Sequence, residues 1–575
     1  MKQERFFFFE KKKQKTFGCL VPLFMAGPAL AQADLGGMAS VPALPGPADT
    51  VLPRSGVDAT ASDLREHLLN AFGDTAQPSA GGPLPPELQI TGQVGLSEEY
   101  TDNAGAASGF GRNAGDDVIT SLSPVINVVD TSQRLQVNLT YRPIGQLYAR
   151  NSNYSQIQEQ FSGNGTATVL PGFLFMDARA AVSQQSVYGG LGPTATVTLA
   201  PNDRQTTSSF SVSPYVSRTL GGAGSVQAGL GYTYSATQAP GQSAAALPAS
   251  SLNTYGSSFL GTERGFASYT TGEDLGRLQN KVGTDDSLYS GSGALEGARR
   301  ILLTDDVSYA VTRVFTVLGE AGWEDLDYPH GGYRYSGAIG SGGVQVTPLA
   351  GSKATIEYRY VDGFGSAYVQ GSVQVSPRIR VFGGYSEGIS TFQQDVQNTL
   401  LDGTNDVTGA AASGLQASPL LQSSNFFGAD QNLNRLDRLD ASASYIGNWD
   451  TVTLSLQRET TRPVGRTTGQ TEQASTPLST SGIFGSVSER HDLTPTLSLS
   501  VFVQYGTNST GVAEQGSGQT LSVSASVEKA FNDRLSGFLR FGGSYLVGGS
   551  EEAALGTQGY RPDQTNVTAG VIRKF

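Results

Sequence analysis

Apolar and polar residues alternate with a period of two in one segment of this chain after another, and this pattern constrains the fold more than any other feature. Leu135, Val137 and Leu139 are separated by polar residues. The same alternation recurs over residues 355–360, 452–457, 497–504 and 521–528. Because successive side chains of a β-strand point to opposite faces, each segment predicts a strand with one apolar and one polar face. Soluble β-sandwiches alternate in the same way, so the period alone leaves the architecture open.

The links between these predicted strands are alternately short and long. Short links include 130–132, 171–172 and 494–495. Long links cover roughly 189–206, 237–262, 389–433, 460–479, 507–518 and 547–563. Barrels of the bacterial outer membrane have this asymmetry, with short periplasmic turns and long outer loops. The predicted fold is therefore all-β: a transmembrane, antiparallel, up-and-down β-barrel. About 20 strands are clear, and a weaker pair near 265–271 and 278–289 brings the number to about 22.

The last predicted strand ends on an aromatic residue. Val571 and Phe575 lie on its apolar face, opposite Thr568. This ending resembles the C-terminal assembly signal of bacterial outer-membrane barrels. Thr568, Gly570 and Phe575 match that signal, whereas Arg573 stands where an aromatic residue is usual. The resemblance implies a location in outer-membrane lipid and recognition of the last strand by the barrel-assembly machinery.

Composition excludes several classes of protein. Charged residues make up only 15% of the 575 residues, and the net charge of -12 makes nucleic acid an unfavourable partner. No run of about twenty apolar residues follows the N-terminal segment, so a helical membrane protein is not expected. The single cysteine, Cys19, lies in that segment, which leaves the rest of the chain without a disulfide framework or a thiolate nucleophile.

Three regions follow one another along the chain. Residues 1–33 are predicted to be a secretory signal peptide, with lysines before an apolar core and a small-x-small cleavage site at 31–33. Residues 34–86, rich in Pro, Ala and Gly, predict a flexible periplasmic segment. Helical spacing over 62–73 indicates either a docking helix for a periplasmic export protein or a transient helix in a linker. Residues 87–575 are predicted to form the barrel.

Several stretches resemble, in their order along the chain, a family of outer-membrane barrels found with exosortase (PEP-CTERM) and exopolysaccharide systems. These stretches are Glu99–Asn103, Leu147–Ser152, Phe173–Gln185, Ser213–Tyr215, Gly272–Leu278 and Gly322–Asp325. The likeness covers most of residues 88–575, although Glu273 and Leu275 stand where the family usually has Pro and Phe. It implies an outer-membrane location and an association with surface polysaccharide; the family has no agreed activity.

Catalytic chemistry is not expected from the residues present. The three histidines, His67, His330 and His491, are predicted to lie in the linker, an outer loop and a periplasmic turn, and no nucleophile motif accompanies them. Acidic pairs at 285–286 and 305–306 lack a recognised ligand spacing, so solvated carboxylates are the simpler interpretation. We therefore expect no enzyme activity, no cofactor and no metal site.

Charged residues on the polar faces of the predicted strands are the better candidates for function. A charge that faces lipid near the midplane costs about 2–4 kcal/mol, so these side chains are expected to face the lumen. The predicted lumen-lining residues are Arg142, Asp177, Arg179, Glu357, Arg359, Arg378, Arg380, Glu528 and Arg540. They indicate either a wall that contacts a polar cargo or a solvated filling of the barrel interior.

The sequence thus favours a barrel that passes polar material, above all exopolysaccharide, across the outer membrane without catalysis. The choice of cargo rests on the family resemblance alone. A general diffusion porin and a structural or adhesive surface barrel are the open alternatives. A plugged receptor also has about 22 strands, but residues 34–86 are too few and too rich in Pro for a folded plug.

We expect deletion of Phe575 to lower the amount of assembled barrel sharply, because the assembly signal ends on that residue. Secretion across the inner membrane should be unchanged. Heat-modifiable migration of the outer-membrane fraction on gels measures the assembled barrel. Recovery of the intact wild-type chain from the soluble periplasm would contradict the membrane assignment.

Overall fold

The computed structural model describes the part of the chain that forms the sheet. The described residues are 88–104, 115–132, 134–186, 204–238, 258–348, 352–391, 393–394, 433–464, 479–510, 517–548 and 563–575. The predicted signal peptide, the predicted periplasmic segment and most of the predicted loop 389–433 lie outside them. Among the described residues, no helix has the length and apolar character needed to cross a membrane.

The described chain forms a single 22-stranded antiparallel sheet. In chain order the strands are β1 (Leu88–Thr101), β2 (Asp117–Thr131), β3 (Leu135–Tyr148), β4 (Gln156–Leu170), β5 (Leu174–Ser186), β6 (Arg204–Thr219), β7 (Gly224–Gln238), β8 (Ser258–Thr271), β9 (Leu278–Gly291), β10 (Arg299–Ala310), β11 (Phe315–Tyr328), β12 (Tyr333–Val346), β13 (Lys353–Val361), β14 (Phe364–Ser376), β15 (Ile379–Thr391), β16 (Leu433–Ile446), β17 (Asp450–Pro463), β18 (Thr480–Thr494), β19 (Leu497–Thr510), β20 (Ser517–Asn532), β21 (Leu535–Gly548) and β22 (Gln564–Lys574). The weaker predicted pair is present as β8 and β9, so the strand number is at the upper end of the predicted range.

Each strand pairs with the next, and the last strand pairs with the first. β22 and β1 are antiparallel over nine residue pairs, from Gln93 opposite Lys574 to Thr101 opposite Asn566. The sheet is therefore a closed barrel without a free edge, as a sheet in hydrocarbon requires. The predicted transmembrane up-and-down barrel is confirmed.

The links at one end of the barrel are short throughout, as the sequence predicts for the periplasmic end. Examples are 377–378, 495–496 and 533–534. The other end carries long links such as 187–203 and 392–432. The outer end also has three short links in succession, which the sequence pattern did not indicate. They are 292–298, 329–332 and 362–363, between β9 and β14.

The two faces of each strand have opposite character, and β13 illustrates this. Ile356 and Tyr358 are exposed, whereas Glu357 and Arg359 between them are buried. In a membrane barrel the exposed apolar side chains contact lipid, and the alternate residues face the interior. The same parity assigns an inner and an outer face to every strand.

The seam between β22 and β1 depends on a glycine and on the final residue. The backbone N–H of Phe575 donates a hydrogen bond to the carbonyl oxygen of Gly92 at 2.8 Å. A Cβ at Gly570 would lie 2.7 Å from the Phe538 ring and 2.8 Å from the backbone oxygen of Leu96 on β1. Because backbone atoms of the seam cannot easily move aside, glycine is the residue that fits at this position.

We expect Gly570→Ala to destabilise the barrel by about 1–3 kcal/mol, the usual cost of overpacking. The matched control is Gly342→Ala on β12, where an added Cβ would meet nothing within 4 Å. Urea unfolding of each variant in lipid vesicles measures the difference. Equal unfolding midpoints for the two variants would show that the seam has room for the methyl group.

Candidate functional site

The structure places most of the predicted lumen-lining residues on the inner face of a strand. Strand parity puts eight of them there: Arg142, Asp177, Arg179, Glu357, Arg359, Arg380, Glu528 and Arg540. Arg378 is different, since it lies in the exposed link 377–378 and donates to Asn448 Oδ1 at 3.0 Å. The strand pattern stops before it because Ser376 Oγ accepts the N–H groups of Arg378 and Ile379, which forms a turn.

One band of polar and charged side chains runs across five neighbouring strands of the inner wall. Lys281 of β9 is opposite Asp306 of β10, which is opposite Glu320 of β11. Glu320 is opposite Ser341 of β12, and Ser341 is opposite Arg359 of β13. Ser341 Oγ donates to Glu320 Oε2 at 3.3 Å. Two cations thus flank two carboxylates in a band that lies across the strands.

The sequence pattern does not single out three members of this band. In the sequence, Asp306 belongs to an acidic pair without ligand spacing, and Lys281 lies in the pair of strands with the weaker alternation. Glu320 has the same strand parity as the buried Glu324 and Leu326. Parity is therefore the signal that finds all three once the strand bounds are known.

Arg359 is the most enclosed cation of the band. Its Nε donates to Glu357 Oε2 at 2.8 Å, and its guanidinium lies 3.4 Å from the centre of the Tyr368 ring. The Tyr368 hydroxyl donates to Gln370 Oε1. Both terminal nitrogens of Arg359 and Nε2 of Gln370 are buried without a hydrogen-bonding partner. A buried donor without an acceptor is costly, so these nitrogens favour the entry of a group that carries oxygen acceptors.

A second charged group lies near the seam. The guanidinium groups of Arg540 on β21 and Arg142 on β3 repel each other. They interact although β22, β1 and β2 separate the two strands along the wall. Glu99 and Glu528 lie near enough to act on Arg540. Nε of Arg142 is buried without a hydrogen-bonding partner. The seam side of the wall therefore also presents donors together with carboxylates.

Aromatic rings occur among these charges on the inner face. The rings of Phe175 and Tyr215, near the periplasmic end, are stacked with centroids 5.4 Å apart. The Arg264 guanidinium lies 5.1 Å from the Phe266 ring centre. Flat apolar rings beside hydrogen-bond donors form a surface that suits a ligand with both apolar and polar faces.

Part of the inner wall is shielded from solvent. Long inward side chains on β14, β15, β17, β18 and β19 are buried: Tyr368, Phe382, Gln457, Phe484 and Gln504. A permanently wide, water-filled bore would leave side chains of this length accessible. The inner wall is therefore covered at these positions.

The other residues considered for chemistry lie apart from these groups. Nδ1 of His330 is 2.7 Å from the backbone oxygen of Glu296 in the outer links. His491 pairs with Asp450 on the outward face at the periplasmic end. Within the described ranges, no group of three or more His, Cys, Asp or Glu side chains is arranged to hold a metal ion.

The closed ladder, the exposed apolar outer face and the polar inner wall define a β-barrel protein of the outer membrane. No protein-family model matches the chain, and no curated protein matches it.

Solved structures with a similar fold include one transporter and one receptor. The FrpB iron transporter from Neisseria meningitidis is 11% identical, with 84% of this chain and 82% of that chain covered and a TM-score of 0.47. The siderophore receptor PirA from Pseudomonas aeruginosa is 11% identical, with 85% and 80% covered and a TM-score of 0.38.

We expect Arg359→Met to destabilise the barrel by about 3–5 kcal/mol, because it leaves the carboxylate of Glu357 buried without its cation. The double variant Glu357→Gln/Arg359→Met should lose less than the single variant. Urea unfolding in lipid vesicles measures both, and Arg378→Met, in an exposed link, is the control with little change. A double variant that is less stable than Arg359→Met would contradict the pairing.

Proposed function

We propose that this barrel passes polar saccharide across the outer membrane without catalysis, and that Arg359, Tyr368 and Gln370 form a contact site for it on the inner wall. The observation that carries the proposal is the set of buried donor nitrogens without partners beside an aromatic ring. We call these three residues the wall site. Sugar hydroxyl and carboxylate oxygens accept hydrogen bonds from guanidinium and amide nitrogens, and the C–H faces of sugar rings pack on aromatic rings.

Exopolysaccharide is the proposed cargo. Its support is the resemblance of stretches within residues 88–575 to the exosortase-associated barrels, together with the donors and rings of the inner wall. The Phe175–Tyr215 stack near the periplasmic end and the wall site would contact a chain of sugar units at separate points. A periplasmic export protein that docks on residues 62–73 and the barrel-assembly machinery are the proposed protein partners.

The alternative functions, a diffusion porin and a structural or adhesive barrel, require different properties of the inner wall. A general diffusion porin needs a bore that is always open, and the buried inward side chains oppose that. A structural or adhesive barrel needs no donors without partners on its inner wall. Passage through this barrel requires a rearrangement that uncovers the wall site, so we propose a gated conduit.

Planar bilayers separate these functions. We expect the purified barrel to carry an ion current that is blocked by oligosaccharide in a concentration-dependent way. In a Glu357→Gln background, which leaves no buried carboxylate without its cation, Arg359→Ala should weaken the block about tenfold, equivalent to about 1.4 kcal/mol, whereas Arg378→Ala should leave it unchanged. Neutral dextran fragments and oligouronates of equal length show whether hydroxyl or carboxylate oxygens are preferred.

Other outcomes assign other functions. Current without saccharide block identifies a diffusion porin, and the absence of current under all conditions identifies a structural barrel. Reducing ends released from the saccharide by the wild-type protein would show catalysis and overturn the proposal.

A further inference from the structure

The outer rim between β10 and β15 contains charges that the wall site does not use. The shortest outer link, 362–363, joins β13 to β14, and Asp362 adopts a φ of 55°. Left-handed backbone is unusual for a residue other than glycine, although Asp and Asn tolerate it best. The side chain of Asp362 is thereby held in a defined place.

Asp362 belongs to a buried cluster with Arg300 of β10 and Glu324 of β11. Arg300 binds Glu324 Oε1 at 2.6 Å and Asp362 Oδ1 at 3.3 Å. The backbone N–H of Asp362 donates to Glu324 Oε2 at 2.8 Å. All three residues are buried, and Glu324 is completely inaccessible. Two carboxylates therefore share one guanidinium away from water.

Asp362 also connects this cluster to strands on both sides. The hydroxyl of Tyr333, at the start of β12, donates to the backbone oxygen of Asp362. The backbone N–H of Ile389, near the end of β15, donates to Asp362 Oδ2 at 3.4 Å. Five strands or links of the outer rim thus meet at one aspartate.

An apolar cluster covers the charges from the outside. Ala294 and Leu295 of the link 292–298 pack with Leu326 of β11 and Leu433, the first residue of β16. A Cβ at Gly331 would touch Ala294 and Leu433 at 3.4 Å, so the link 329–332 lies in the same cover. The outer ends of β15 and β16 are therefore packed onto the links between β9 and β14.

We infer that Arg300, Glu324 and Asp362 form a pH-responsive latch, which holds the outer ends of β15 and β16 on the rim and releases them when Asp362 becomes ionised. The latch is independent of the proposed function; only the inference that its release assists passage rests on that function.

The ionisation that matters is that of Asp362. Burial and the negative charge of Glu324 raise the pKa of Asp362 to about 7, and the opposing effect of Arg300 is smaller. The charged or titratable groups that face it are Arg300, Glu324, Tyr333 and Tyr335. Since the pKa is raised from 3.8, the stabilising contribution of protonated Asp362 is complete below about 3.8 and is lost as the pH rises through about 7. Above that pH, two carboxylates face one guanidinium, and the latch is weakest.

The test uses a cysteine reporter on the held strand. Ser390 of β15 is only 1% exposed, so Ser390→Cys in a Cys19→Ser background reports opening through its reaction with a membrane-impermeant maleimide. Ser152→Cys, at an exposed position in the link 149–155, corrects for the effect of pH on thiol reactivity. Between pH 6 and pH 8 the ionised fraction of a group with a pKa near 7 rises about tenfold, and the corrected labelling rate should rise by up to about that factor.

Variants decide whether Asp362 is responsible. Asp362→Asn keeps a side chain that tolerates the left-handed backbone. Glu324→Gln leaves one carboxylate for one guanidinium. In both variants the reporter thiol of Ser390→Cys should be labelled slowly at pH 6 and at pH 8. Glu459→Gln, which removes a carboxylate of the Arg438–Glu459 pair elsewhere on the inner wall, should retain the rise. A flat profile in the wild-type latch, or a rise that persists in Asp362→Asn, would overturn the inference.

Measurements of ion current in planar bilayers distinguish a failure of the latch from a failure of the proposed function. Labelling that depends on pH together with saccharide block that does not would preserve the latch and remove its part in passage. Absence of saccharide block at every pH would overturn the proposed function and leave the labelling result unchanged.

Discussion

Hydrocarbon offers no hydrogen-bonding partner to a peptide group, and this constraint determines the rest of the structure. Each strand has to pair on both sides, so the sheet closes through β22 and β1. Once closed, the barrel has only an outside and an inside, and strand parity assigns every side chain to one of them. The apolar belt and the polar inner wall follow from the same ladder.

The features predicted from the sequence are those that follow from the alternation of residues along each strand. The sequence predicted the architecture and the short periplasmic links, and strand parity puts eight of the nine charged residues named from the sequence on inner faces. It left β8 and β9 uncertain because polar outward residues such as Asn280 and Asp286 interrupt the alternation of β9. Arg378 was included because a turn after Ser376 is not visible in a period-two pattern.

Clusters of charged side chains that come from several strands could not be predicted from the sequence. Glu324 and Asp362 are 38 residues apart in the chain, and Arg300 and Asp362 are 62 apart. Their meeting depends on the register of four consecutive strands and on the shortness of one link. The band from Lys281 to Arg359 depends likewise on five strands in register. Buried ion pairs of this kind add little net stability compared with apolar packing, which is consistent with a role in contact and movement.

The seam also determines the order in which this molecule has to fold. The side chain of Gln564 donates to the backbone oxygen of Asn103 across 461 residues of sequence. Closing a chain of that length costs about 5 kcal/mol in entropy if nothing is formed between its ends, so neighbouring hairpins have to form first. Until the seam closes, β1 and β22 are two unpaired edges, which are prone to join other chains. Because these are the first and last strands in chain order, the barrel stays vulnerable to aggregation until β22 has been synthesised and paired.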